Sequence, residues 1–186
     1  MATGDQPGSV YFVVDGEEAN SGRCFDDGNA STDLTAHGKM NAVEFSSNKF
    51  WGYGEGIGPW VAADLEAGVD TWNGASGNWM NPSSISLPHK FVTALLKNNQ
   101  NGQPGGPFVL KGGNAATGAL TTMWDGARPN GYETLHEGGG IVLGIAGDNA
   151  AGARGNFYEG AITASFNSEE SDTALQDNIV AAGYGQ

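Results

Sequence analysis

The sequence predicts an all-β fold of the sandwich type, and three observations carry the prediction. Apolar stretches are short, either alternating or continuous, and eight of them recur along the chain. Clusters of Gly, Asn, Pro and Asp separate them, which is the pattern of strands joined by turns. Glycine accounts for 31 of 186 residues, against a typical ~7%. The length is that of one domain, and no interior Pro/Ser-rich linker divides it, so residues 1–186 are expected to form a single domain.

In chain order, the strands are expected at Val10 to Val14, Met40 to Phe45, Trp60 to Glu66, Phe91 to Lys97, Phe108 to Lys111, Ala119 to Trp124, Ile141 to Ala146, and Phe157 to Phe166. Between them, Gly52 to Pro59, Asn73 to Pro88 and Asn98 to Pro107 hold the Gly, Asn and Pro that favour left-handed or fixed torsions, so these loops could build a site. One helix is expected near the end. Ser168 or Ser171 caps it, Glu169, Glu170 and Asp172 lie near its positive pole, and Leu175, Ile179 and Ala182 share a face; Gly183 closes it at C′. Gly28-Asn29-Ala30, Gly113-Asn114-Ala115 and Asp148-Asn149-Ala150 echo one another at unequal spacings, which reads as shared turn chemistry rather than a repeat.

Charge narrows the partners. With 8 Lys+Arg against 21 Asp+Glu, the net charge is −13, which repels phosphate backbones and anionic membrane surfaces. Nucleic acid and membrane are therefore not expected as partners, while a neutral carbohydrate is compatible. No apolar run approaches the ~20 residues of a membrane helix, and no basic segment followed by an apolar one opens the chain, so a soluble chain without an export signal is expected. Cys24 is the only cysteine, which excludes an internal disulfide and a cysteine-rich zinc site. His37, His89 and His136 show no metal-binding spacing, so neither a metal nor a cofactor is expected. Ser76 misses the Gly-x-Ser-x-Gly elbow, and Gly52, Gly54, Gly56 and Gly58 do not match a phosphate loop. Asp26, Asp27 and Asn29 offer oxygen ligands for calcium, or are solvated turn residues; Asn29-Ala30-Ser31 is a glycosylation sequon.

The most informative segment is Gly58 to Glu66. In a strand, Val61, Ala63 and Leu65 face one way while Trp60, Ala62, Asp64 and Glu66 face the other. The two acids would have Cα atoms roughly 6.6 Å apart, close enough for each to raise the cost of ionising the other, which suits nucleophilic or acid/base work. Trp60 could add a sugar-stacking wall. The same pattern also fits the plain solvent face of an amphipathic strand. Asp148, in Gly147-Asp148-Asn149, follows the apolar run Ile141 to Ile145, a position that either aims a carboxylate into a cleft or simply ends a strand in a turn.

Taken together, Cys24-Phe25-Asp26-x-Gly28-Asn29-Ala30, Trp51-Gly52-Tyr53-Gly54, Gly58-Pro59-Trp60, Asp64-x-Glu66, Lys111-Gly112-Gly113-Asn114-Ala115, Gly126-Ala127-Arg128-Pro129 and Gly147-Asp148-Asn149 resemble the catalytic domain of the α-L-arabinofuranosidase B family, glycoside hydrolase family 54. Phe157-Tyr158-Glu159-Gly160 and Asn178-Ile179-Val180-Ala181-Ala182 extend the likeness over nearly the whole chain. The resemblance implies a concanavalin-like antiparallel β-sandwich, or jelly roll, and a secreted enzyme that releases arabinofuranose from arabinan and arabinoxylan of plant cell walls with retention. It further implies Glu66 as nucleophile, Asp148 as general acid/base, Asp64 as a sugar-binding carboxylate and Trp51 as an aromatic wall, with Cys24 and Gly147 beside the substrate. Three departures stand out. Arg23-Cys24 replaces the family's vicinal cysteine pair, and Ala67-Gly68 replaces two asparagines after the nucleophile. The family's segment ahead of the part equivalent to Ala2 and its carboxy-terminal arabinose-binding module are not in this sequence. A trimmed or divergent member is therefore expected. The rival reading is a non-catalytic carbohydrate-binding or adhesion domain on the same sandwich.

Overall fold

The computed structural model describes residues 1–4, 6–18, 25–33, 40–49, 52–64, 80–99, 108–126, 138–145, 152 and 154–186. Within them lie nine strands, β1 (Gly8–Asp15), β2 (Asp26–Ala30), β3 (Met40–Ser46), β4 (Trp60–Asp64), β5 (Phe91–Asn98), β6 (Phe108–Asn114), β7 (Thr121–Gly126), β8 (Gly140–Leu143) and β9 (Phe157–Thr163), followed by one helix, α1 (Glu169–Ala181). They form a five-stranded sheet of order β7-β6-β5-β1-β9 and a four-stranded sheet of order β4-β3-β2-β8. All pairings are antiparallel. The result is the expected β-sandwich with a carboxy-terminal helix.

Alternation along the strands sorts side chains between the two sheets. Val10, Phe12 and Val14 of β1, Val92, Ala94 and Leu96 of β5, and Phe108 and Leu110 of β6 meet Val43, Phe45, Val61 and Ala63 of the four-stranded sheet in the main core. At roughly 1.5–3 kcal/mol for each large side chain buried, this layer is the chief source of stability.

Each of the eight expected strands has a counterpart among the described residues. β2 is an additional strand, and it overturns the reading of Asp26 to Ala30 as turn chemistry. Asp-Asp-Gly-Asn-Ala has poor β propensity, yet all five residues are buried and paired with β3, and Asp27 to Ala30 are paired with β8 as well. Tertiary pairing overrides local preference here. Gly28 makes it possible: a Cβ there would lie 2.4 Å from the Asn41 carbonyl oxygen and 2.5 Å from Ala42 Cα.

The helix begins as expected, with Ser168 Oγ accepting from the Ser171 amide, and it ends before Gly183 at φ 83. Of the expected inner face, Ile179 is buried and Leu175 packs beside it while Ala182 is exposed, and Asp172 and Gln176 are buried in addition. Lys97 and Lys111 project from the outer face of the five-stranded sheet and both reach Asp172 Oδ2 at 2.7 Å. Glu169 joins them, at 2.8 Å from Lys97 and 2.5 Å from Lys111. Burial opposes the Lys111 charge, but hydrogen bonds to Asp172 and Glu169 outweigh it and hold the ammonium above its ordinary range. Asp172 is thus an anchor for the helix more than a complement to its dipole.

Candidate active site

The face of β2, β3 and β4 that points away from the core carries a row of carboxylates. Register fixes the arrangement: Asp26 pairs with Glu44, Glu44 with Ala62, and Ala42 with Asp64. Cross-strand partners share a face, and Val43, Phe45, Val61 and Ala63 occupy the core face, so Asp26, Glu44 and Asp64 stand together on the other. One carboxylate oxygen from each lies within 4.8 Å of those of the other two, and all three residues are buried. Glu44 Oε1 accepts a 2.6 Å hydrogen bond from Ser46 Oγ, two residues along the same face.

Between the acids the row is built from small residues, Gly28, Ala42 and Ala62, and this face of the sheet is buried. Carboxylates at this spacing raise one another's cost of ionisation. They can accept several hydroxyl hydrogen bonds from a sugar, and their oxygens are also suitable donors for a hard cation. The rigid pairing of three strands holds them in place, a better support than a loop.

Asp27 and Asn29 lie on the opposite face of β2, so Asp26, Asp27 and Asn29 cannot converge on one calcium ion. Burial pushes the Asp27 carboxyl up to about 7, with the Gly144 amide opposing. Asn29 is consumed structurally: its Nδ2 donates to the Ala2 carbonyl at 2.6 Å, and its Oδ1 accepts from the Gly139 amide at 3.0 Å.

The outward residues of β4 are not a solvent face, for Trp60, Ala62 and Asp64 are all buried. Nor is Trp60 a stacking wall. Its indole Nε1 donates to the Glu55 carbonyl at 3.2 Å, and its ring packs edge-on against Tyr53 at 5.8 Å. Gly58, at φ 75, lies against the ring, where a Cβ would come within 2.7 Å. Two of the loops expected to build a site meet beside this strand: the Asn81 amide donates to the Tyr53 carbonyl at 2.6 Å, and the Leu87 amide to the Pro59 carbonyl at 2.9 Å.

Of the site residues expected from sequence, Asp64 is placed, on the acidic face that strand alternation predicts. Glu66, Asp148, Trp51, Cys24 and Gly147 lie outside the described residues. Glu44 is an addition, and it carries a readable signal, an acid inside the apolar run Met40 to Phe45; Asp26 is expected from sequence only as an oxygen ligand or turn residue with Asp27 and Asn29, and its place beside Glu44 and Asp64 follows from β2. A cavity of about 110 Å³ lined by Lys111, Glu169, Asp172, Gln176 and Asp177 lies under α1, on the far side of the sandwich from the acidic row.

Comparison with known proteins follows the same line. Residues 1–185 match the family model described as alpha-L-arabinofuranosidase B, catalytic. A probable alpha-L-arabinofuranosidase B of Aspergillus terreus is 44% identical over 98% of this chain and 35% of its own length. The alpha-L-arabinofuranosidase B of Emericella nidulans is 45% identical with the same coverage. Among solved structures, an arabinofuranosidase complexed with arabinofuranosyl-alpha-1,2-xylobiose is 38% identical with a TM-score of 0.84, covering 98% of this chain and 37% of the other. A glutamate-to-glutamine variant of a GH54 α-L-arabinofuranosidase soaked with 4-nitrophenyl α-L-arabinofuranoside is 38% identical with a TM-score of 0.83. The chain spans about a third of the length of the curated relatives it matches.

Proposed function

The chain belongs to the α-L-arabinofuranosidase B catalytic family, and on that footing we propose that it is a retaining glycoside hydrolase acting on arabinan- or arabinoxylan-type polysaccharides of plant cell walls. It releases α-L-arabinofuranosyl residues and works outside the cell, with residues 1–186 forming one sandwich domain. What supports the reading is the family match over residues 1–185 together with Asp64, which stands with Asp26 and Glu44 on a buried carboxylate face two residues before Glu66.

Glu66 attacks the anomeric carbon while Asp148 protonates the departing oxygen, giving a glycosyl ester on Glu66; Asp148 then takes a proton from the water that hydrolyses it. Retaining glycosidases hold such a pair about 5–5.5 Å apart. Proximity to ionised Glu66 keeps Asp148 protonated for the first step, and capture of Glu66 as an ester lowers the Asp148 pKa for the second. Asp64 accepts hydrogen bonds from sugar hydroxyls, Trp51 walls the sugar, and Cys24 and Gly147 border it. Neither metal nor cofactor takes part in these steps.

Hydrolysis of an aryl α-L-arabinofuranoside is the test. Release of arabinose by the wild-type chain, with most of it lost in Glu66→Gln and in Asp148→Asn, is the expected result. Binding of arabinan without release across acidic to neutral pH would favour instead a carbohydrate-binding domain, a reading to which Ala67-Gly68 and Arg23-Cys24 lend weight.

A further inference from the structure

The polar layer between α1 and the outer face of the five-stranded sheet is incompletely paired. Asp172 and Gln176 stand one helical turn apart on the inner side of α1 and are 2% and 1% exposed. Asp172 Oδ2 faces the Lys97 and Lys111 ammonium groups. Gln176 Nε2 donates to the Asn114 carbonyl at 2.9 Å and to the Gly118 carbonyl at 3.1 Å. The other oxygens of the two side chains, Asp172 Oδ1 and Gln176 Oε1, are buried and have no hydrogen-bond partner among the described residues. A buried acceptor without a donor is costly, and native proteins meet such groups with water or a ligand.

Both residues line the cavity of about 110 Å³ beneath α1. A water molecule takes about 30 Å³ in the liquid, so a single water does not fill it. Lys111 and Thr122, cross-strand partners on β6 and β7, line it from the sheet side. The Lys111 ammonium donates to Asp172 and Glu169, which leaves one of its three N–H bonds for a further acceptor. Leu120 adds an apolar wall. Thr122 and Asp177, also in the lining, are exposed, so the cavity is reached from solvent.

Charge selects the class of ligand. An anion would meet the carboxylates of Glu169, Asp172 and Asp177, and a cation would meet the ammonium groups of Lys111 and, behind Asp172, Lys97. A neutral molecule avoids both repulsions. It must bring hydroxyls that donate to the two acceptors and accept from Lys111, and carbon to set against Leu120. We propose that the cavity beneath α1 is a second carbohydrate site, on the far side of the sandwich from the acidic row, which takes a neutral polyol of pentose size through Asp172 Oδ1, Gln176 Oε1 and Lys111 Nζ. The site does not depend on hydrolysis at Glu66.

Protein-observed NMR tests the proposal. The isotope-labelled chain is titrated with L-arabinose, and the amides of residues 111–122 and 172–177 are followed. Saturable shifts are expected there, distinct from any shifts near Asp26, Glu44 and Asp64 that binding at the acidic row produces. Thr122→Trp blocks the cavity from the exposed edge strand, and Gln176→Met removes an acceptor. Each should weaken binding under α1 by roughly tenfold or more and leave the response at the acidic row unchanged. Thr122→Trp leaves the buried layer intact, so it decides the matter if Gln176→Met does not fold. Absence of arabinose-dependent shifts under α1 overturns the proposal and means that water alone meets the two acceptors. Saturable shifts with potassium chloride in place of arabinose, or arabinose shifts that persist at full affinity in Thr122→Trp, overturn it as well.

Discussion

Asp27 faces the space between the sheets, and burial first, with the Gly144 amide opposing, leaves its carboxyl at about 7 against an ordinary 3.8. The sign of its effect follows from which state ionises earlier. Below pH ~4 the carboxyl is protonated in both states and costs nothing; between ~4 and ~7 the unfolded chain releases the proton first, so stability falls as pH rises, and above ~7 the loss is complete. Asp27→Asn should therefore stabilise the protein at pH 8, by roughly 4 kcal/mol at most, and change little at pH 4. Denaturant unfolding of both proteins at the two pH values checks this, and equal differences at both would contradict it. Asn29 gives a second prediction at this scale. Both ends of its amide are occupied inside the protein, so the sequon should be unmodified when the chain is secreted from a glycosylating yeast, as intact mass will show. Period-two alternation made the side of Asp64 readable in advance. It could not reveal that this side is buried, because burial depends on what covers the sheet.

At the scale of elements, the periodic ones were legible and the polar ones were not. β1 and β5 declare themselves through Val, Tyr, Phe and Leu, while β2 has no apolar residue before Ala30. Its strand character comes from two neighbours and from the missing Cβ of Gly28. Gly28→Ala should accordingly lower the thermal midpoint and, by shifting Asp26 away from Glu44, also lower activity. The helix is legible from its cap and acids, but its partners Lys97 and Lys111 stand at the ends of the expected strands, where nothing in the sequence marks them as buried beneath α1. Asp172 is 2% exposed in its side chain and Glu169 69%, and the energetic weight should divide accordingly. Asp172→Asn leaves two buried ammonium groups under-compensated and should cost roughly 3–5 kcal/mol. Glu169→Gln removes an exposed arm of the network and should cost less than about 1 kcal/mol. Unfolding curves for the two variants read the ratio directly. The Lys111 and Lys97 hydrogen bonds hold the Glu169 carboxyl near about 2, so its small contribution is present at neutral pH and fades only as pH falls from ordinary carboxylate values toward 2.

At the scale of the whole molecule, two sheets and a helix support an outward row of acids on one face and an ion-paired helix on the other. The likeness to the arabinofuranosidase B family, readable from ordered motifs along the chain, is what joins this architecture to a reaction, since a sandwich alone does not specify one. The proposed chemistry turns on a glycosyl ester on Glu66. It is tested most directly by exposing the Asp148→Asn variant briefly to 4-nitrophenyl α-L-arabinofuranoside, quenching in acid and mapping the peptides by mass spectrometry. An activated aryl leaving group needs little acid assistance, whereas the second step needs its base, so the ester should accumulate. A pentosyl adduct on the peptide containing Glu66, absent from the Glu66→Gln, Asp148→Asn double variant, is the predicted result. Sugar release by the wild-type chain with no adduct, or with an adduct on any other residue, would contradict it.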